Sequence, residues 1–159
     1  MKIASVSEIK QELTHRSQKE LVELCLQLAK FKKDNKELLT YLLFESHDLE
    51  TYIEAVKKEI DEQFGEINKS SLYFAKKTLR KILRISNKYI RYTASKEAEV
   101  EILLHYCQSL QSSKIPFQKS TALNNLYLAQ IKKINAALGG FHEDLRYEYD
   151  RQLDKLVSD

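Results

Sequence analysis

Side chains able to hold a metal, move a proton or act as a nucleophile are few and scattered in this sequence. Glu101 and His105 stand four residues apart, the spacing at which two ligands share one helix face. A zinc site needs three or four ligands, so the pair reads as surface support for its helix. His142-Glu143-Asp144 has the composition of a metal cluster, but neighbours on a helix point apart. That run, and Glu45 with His47, are expected on solvated surface. Cys107 lies two residues from His105, and residues two apart on a helix face different ways, which argues against an imidazole-activated thiolate. The chain carries no phosphate-cradling glycine loop, no GxSxG elbow and no HExxH pair. No catalytic residue, metal site or cofactor is therefore expected, and the chain reads as a non-enzyme. An active site assembled from dispersed residues is kept as the third reading.

What the sequence does concentrate is positive charge. From Lys69 to Lys96 there are nine cations and no acid, in a protein of formal net charge +3. The periodicity predicts one helix over 70–92, roughly 34 Å long at 1.5 Å per residue. At about 100° per residue, Leu72, Ala75, Leu79, Ile82, Leu83, Ile85, Tyr89 and Ile90 fall on one side. Lys76, Lys77, Arg80, Lys81, Arg84, Lys88 and Arg91 fall on the other. Lys77, Arg84, Lys88 and Arg91 lie near the antipode of the apolar face, and these four are the candidate polyanion-facing ridge. Lys76, Arg80 and Lys81 lie at its edges and are expected to reach the acids of the preceding helix. Tyr73, Tyr92 and Tyr147 have room to be exposed, and an aromatic beside cations can stack on a nucleic-acid base, but packing at helix ends is the expected role.

These groups need helices to position them, and the composition supplies little else. Three Gly and one Pro in 159 residues are too few for the tight turns of an all-β protein. No apolar run approaches the roughly 18 residues that a membrane span requires, and the N-terminus lacks the apolar stretch of a signal peptide. Cys25 and Cys107 each fall within a helical apolar pattern and are expected as reduced core residues of a cytoplasmic protein.

In chain order, a short helix is expected over 6–14. Ser17-Gln18-Lys19-Glu20 forms a capping box opening a second helix, whose inner face is Leu21, Leu24, Cys25, Leu28 and Phe31. Asn35 is expected to cap a third, KELLTYLLFES, apolar round much of its circumference and so expected to be central and enclosed. Asp48 caps a helix to about Ile67. Segment 48–68 carries −5 and segment 69–96 carries +9, so these two are expected as an antiparallel hairpin. Ser95 caps the next helix, with Ala98, Ile102, Leu103, Tyr106 and Leu110 inward. Around Pro116 a joint is expected over 111–120, with Ile115 or Phe117 packed on the body. From Thr121 apolar positions recur to the end, interrupted at Gly139-Gly140 by a kink or a tight turn.

The runs KELLTYLLFES, SLYFAKKTLRKILRISNKYIRY and IKKINAALGGFHEDLRYEYD resemble those of a family of small all-helical bacterial proteins without assigned function. The resemblance implies a soluble, helical, cytoplasmic protein and assigns no role to any residue. The expected architecture is a single all-α domain over 1–159, with six or seven amphipathic helices in antiparallel hairpins forming a bundle; a short HEAT-like solenoid is the alternative. The expected function is a non-enzymatic interaction or adaptor module with a protein partner. The alternative is binding of nucleic acid or another polyanion through the basic ridge. Neither the partner nor the oligomeric state is legible in the residues.

Overall fold

Short polar residues ahead of apolar-periodic runs start most of the helices. Ser5 and Ser17 each form a capping box: the serine oxygen accepts from the backbone N–H of Glu8 or Glu20, and that glutamate accepts from the serine N–H. Asp48, Ser71, Ser95 and Ser120 accept from the N–H three residues on. The structure, a computed structural model, describes residues 1–158. Among these the protein is all-helical, without a strand. The α-helices are α1 (Val6–Thr14), α2 (Gln18–Phe31), α3 (Lys33–Thr40), α4 (Leu49–Gly65), α5 (Leu72–Thr93), α6 (Lys96–Ser112), α7 (Thr121–Leu138) and α8 (Glu143–Val157). A π-helical turn spans Tyr41–Glu45 and a 3-10 turn Phe117–Lys119.

Eight α-helices replace the six or seven expected, because Gly139-Gly140 makes a turn. Gly139 N–H donates to Ala136 O, Phe141 N–H to Leu138 O, and His142 caps the new helix. Neither glycine has positive φ, so the break does not rest on a left-handed conformation. Two adjacent residues with no side chain lose the most backbone entropy in a helix, and the helix ends there.

The contacts gather into two compact units, Met1–Phe44 and Glu45–Asp159, each described by itself. In the second, α6 packs against α4, α5, α7 and α8. Its Ala98, Val100, Ile102, Leu103, Leu104, Tyr106, Cys107 and Leu110 are all buried, well beyond one stripe. Tyr106 Oη donates to Leu79 O across to α5, which satisfies the hydroxyl in the core. The joint is as the Pro predicts. Helix stops at Ser112, Ile115 and Phe117 are buried, and Phe117 packs on Tyr127.

In the first unit α2 packs on α3, and none of α1, α2 and α3 buries a residue. This corrects two expectations. The third helix is not an enclosed centre: Leu42, Leu43 and Phe44 are exposed, and Tyr41 alone of the π turn is buried. The inner face expected for α2 is also open, with Leu24, Leu28, Phe31 and Cys25 exposed. An all-round apolar helix needs neighbours on every side, and this unit has only three helices. Asn35 does not cap α3 either. The helix starts at Lys33, and the Asn35 amide donates back to Leu28 O.

Candidate functional site

Of the groups whose chemistry the sequence singles out, Glu101 and His105 are tied into contacts between helices. They share one face of α6, but each is half-buried and bonds across to another helix rather than standing as a surface pair. Lys57 Nζ on α4 donates to Glu101 Oε2 at 2.7 Å and to Glu54 Oε1 at 2.9 Å, and Tyr149 Oη on α8 donates to the other Glu101 oxygen. Burial alone would raise the Glu101 pKa, but the hydrogen bonds from Lys57 and Tyr149 outweigh it and the net shift is down. Burial likewise opposes charge on Lys57, and the two carboxylates outweigh it, so its pKa moves up. Burial and the Glu101 hydrogen bond together raise that of Tyr149. The network holds α4, α6 and α8 in register.

His105 Nε2 lies 2.7 Å from Asp61 Oδ1, and Ser109 Oγ donates to the same oxygen at 3.4 Å. These three line an open hollow of about 440 Å³. A nucleophilic serine needs its hydroxyl on the imidazole, with the carboxylate on the far ring nitrogen. Here serine and imidazole share one carboxylate oxygen, so no base is set against the hydroxyl. His142, Glu143 and Asp144 are exposed. Among the described residues no group of three or more His, Cys, Asp and Glu is placed to hold a metal ion.

The cysteines part company. Cys107 is enclosed in α6, and burial pushes its thiol up to about 12. Cys25, expected in the core, is exposed on α2 beside an apolar cleft of about 190 Å³ lined by Leu28, Leu38 and Leu39. Thiol titration of the native protein should therefore show Cys25 reacting at once and Cys107 reacting only in denaturant. Two fast thiols would contradict the enclosure of Cys107.

The basic ridge stands on α5, whose inner side buries Ala75, Leu79, Ile82, Leu83, Ser86 and Ile90. Leu72, Ile85 and Tyr89 are half-buried rather than enclosed. Of the four ridge residues, Lys77, Arg84 and Arg91 are exposed, whereas Lys88 is half-buried with Nζ 5.5 Å from the centre of the Tyr89 ring. Lys76, Arg80 and Lys81 do not reach acids of α4: among the described residues no ion pair engages them. Several charged groups of α4 are engaged elsewhere, Lys57 by Glu101 and Glu54 and Asp61 by His105, while Arg80 and Lys81 are exposed to solvent. Glu59 accepts from Gln63 and from Tyr89 Oη.

Tyr73 and Phe74 open the ridge, both exposed and edge to face at 5.4 Å. Lys77 Nζ lies 5.5 Å from the centre of the Tyr73 ring. At the other end of α5, Arg91, Lys96 and Lys133 line an open hollow of about 450 Å³, with Lys96 bound to Glu99 at 2.9 Å.

A second surface, missed by the sequence reading, lies between α1 and α2. A groove of about 480 Å³ has Ile9, Leu13 and Leu24 as its apolar lining and Glu8, Glu12, Glu20 and Glu23 around it. Arg16 is the one cation there, 3.7 Å from Glu12. The backbone N–H of Ser5 and of Ser17 lowers the pKa of Glu8 and Glu20 respectively, so both stay charged. The signal was present in the Ile9, Leu13 and Leu24 spacing, but nothing in a sequence says whether an apolar face is covered by its own chain. Among the described residues no helix is long and apolar enough to cross a membrane. Comparison with known proteins finds no matching family model, no matching curated protein and no matching solved structure.

Proposed function

We propose that the chain is a non-enzymatic helical interaction module whose N-terminal unit docks a partner protein in the groove between α1 and α2. The observation that supports this most is the set of apolar residues Ile9, Leu13 and Leu24, 46%, 38% and 39% exposed, inside an acidic surround. Helices α1 and α2 are 9 and 14 residues long and bury no residue. Isolated helices below about 12–15 residues are marginal in water, and most helix stability in proteins comes from packing an apolar face. A partner that covers this face supplies that packing. Its chemistry follows from the groove: an amphipathic helix, apolar on one side and bearing Lys or Arg that meet Glu8, Glu12, Glu20 and Glu23. An anionic membrane surface is the wrong counterpart, since four carboxylates would face it.

The packing of α6 on four other helices supports a bundle for the second unit, with α4 and α5 as an antiparallel hairpin. A HEAT-like stack would touch only sequential neighbours. The exposed, unpaired thiol of Cys25 suits a reducing, cytoplasmic compartment.

The test is a titration with two labelled helical peptides, one of Leu and Lys at amphipathic spacing, the other with Glu in place of Lys. The basic peptide should bind and the acidic one should not. Leu13→Asp with Leu24→Asp should weaken binding at least about tenfold while the melting temperature holds, because exposed substitutions cost little. Equal binding of both peptides, or binding indifferent to the double variant, would overturn the reading. Self-association abolished by the double variant would overturn it too, by assigning the groove to a second copy of this chain.

A further inference from the structure

We infer that the outward face of α5 binds single-stranded nucleic acid, with Tyr73 stacking on a base and Lys77, Arg80, Arg84 and Arg91 following the phosphates. This surface belongs to the second unit and is independent of the α1–α2 groove.

Three observations converge on it. The five residues follow one another at steps of four, three, four and seven, so they lie near one line along the helix. That line runs about 27 Å from Tyr73 to Arg91, at 1.5 Å per residue, long enough for a short run of nucleotides. Along it there is no acid, and among the described residues none of the four cations is engaged in an ion pair. Cations so placed lack an internal counter-charge, and a polyanion provides one while releasing its own counterions.

The aromatic residue narrows the class of polyanion. Tyr73 is 62% exposed, held edge to face against Phe74, with the Lys77 ammonium beside its ring. Stacking on an aromatic ring requires unpaired bases, and binding of single strands combines such a platform with a cationic track. Duplex backbone or an unstructured polyphosphate would use the cations and leave Tyr73 idle. A membrane surface fits poorly, because the apolar face of α5 is spent on the core and only its first turn offers exposed rings.

The experiment is fluorescence anisotropy with a labelled twelve-nucleotide single strand, the same sequence as duplex, and unlabelled inorganic polyphosphate as competitor, over a salt series. The single strand should bind more tightly than the duplex, with affinity falling as salt rises. Tyr73→Ala should weaken single-strand binding about tenfold, the scale of one base–aromatic stack, and leave competition by polyphosphate unchanged. Tyr73→Phe should bind as the parent does, which separates stacking from any loss of fold. Lys77→Glu with Arg84→Glu and Arg91→Glu should abolish binding of both strands. Absence of binding near physiological salt would overturn the inference. So would equal affinity for single strand and duplex, or single-strand binding indifferent to Tyr73→Ala.

Discussion

Leu103→Ala should destabilise the fold by about 2–5 kcal/mol, the range for emptying a fully enclosed leucine site. Leu103 has no exposed surface and sits on α6, the helix against which α4, α5, α7 and α8 all pack. A void in that helix weakens the element on which the second unit packs. The control is Leu43→Ala. The sequence pattern placed Leu43 in a central helix, whereas it is 64% exposed, and its truncation should cost within about 0.5 kcal/mol. Urea denaturation of both variants decides the matter. Comparable losses would mean that α6 is not the centre of the second unit.

Glu101→Gln carries the second large effect, a loss of about 2 kcal/mol at neutral pH, the scale of charge-assisted hydrogen bonds shielded from water. Its carboxylate accepts from both Lys57 and Tyr149, and the substitution leaves a partly buried ammonium held by Glu54 alone. The pH dependence has a definite sign. The folded pKa of Glu101 lies below its ordinary 4.5, so its contribution is present above that value and is lost as pH falls through the folded one. Lys57 is shifted up, and so is Tyr149, so their contributions hold below 10.5 and 10.0 and fade as pH rises further. The gap between the parent and Glu101→Gln should therefore be widest near pH 7 and close on acidification well below 4.5, where the parent carboxyl is itself protonated. A gap that persists unchanged into strong acid would show that the pairing charge is not what Glu101 contributes.

Local signals carried most of the helix boundaries. Ser17, Asp48 and Ser95 announced caps that the structure makes, and Pro116 announced the one long joint. The inner and outer sides of α5 were legible because its cations and its apolar residues separate cleanly around the wheel. Tertiary context decided the rest. Tyr41–Phe44 is more continuously apolar than any part of α6, yet α6 is enclosed and Leu42–Phe44 are open. Periodicity reports that a face is apolar and is silent on how many neighbours surround it. The same gap explains Cys25, which shares a stripe with Leu21 and Leu28 but stays exposed. Charge bookkeeping between segments also misled. The −5 of 48–68 against the +9 of 69–96 suggested pairing, while α4 directs Lys57 and Asp61 towards α6, and among the described residues no ion pair engages Lys76, Arg80 or Lys81. The Tyr149–Glu101 contact joins residues 48 positions apart, and no local pattern signals it.

That the α1–α2 groove is a docking surface is tested most directly by hydrogen–deuterium exchange on the full chain, with and without the basic amphipathic peptide. In the free protein the amides of α1 and α2 should exchange fast, because neither helix buries a residue, and those of α6 slowly. With the peptide bound, protection should rise across Val6–Thr14 and Gln18–Phe31 and stay unchanged in α6. Peptide binding that leaves α1 and α2 unprotected, or that protects α5 instead, would contradict the assignment of the groove.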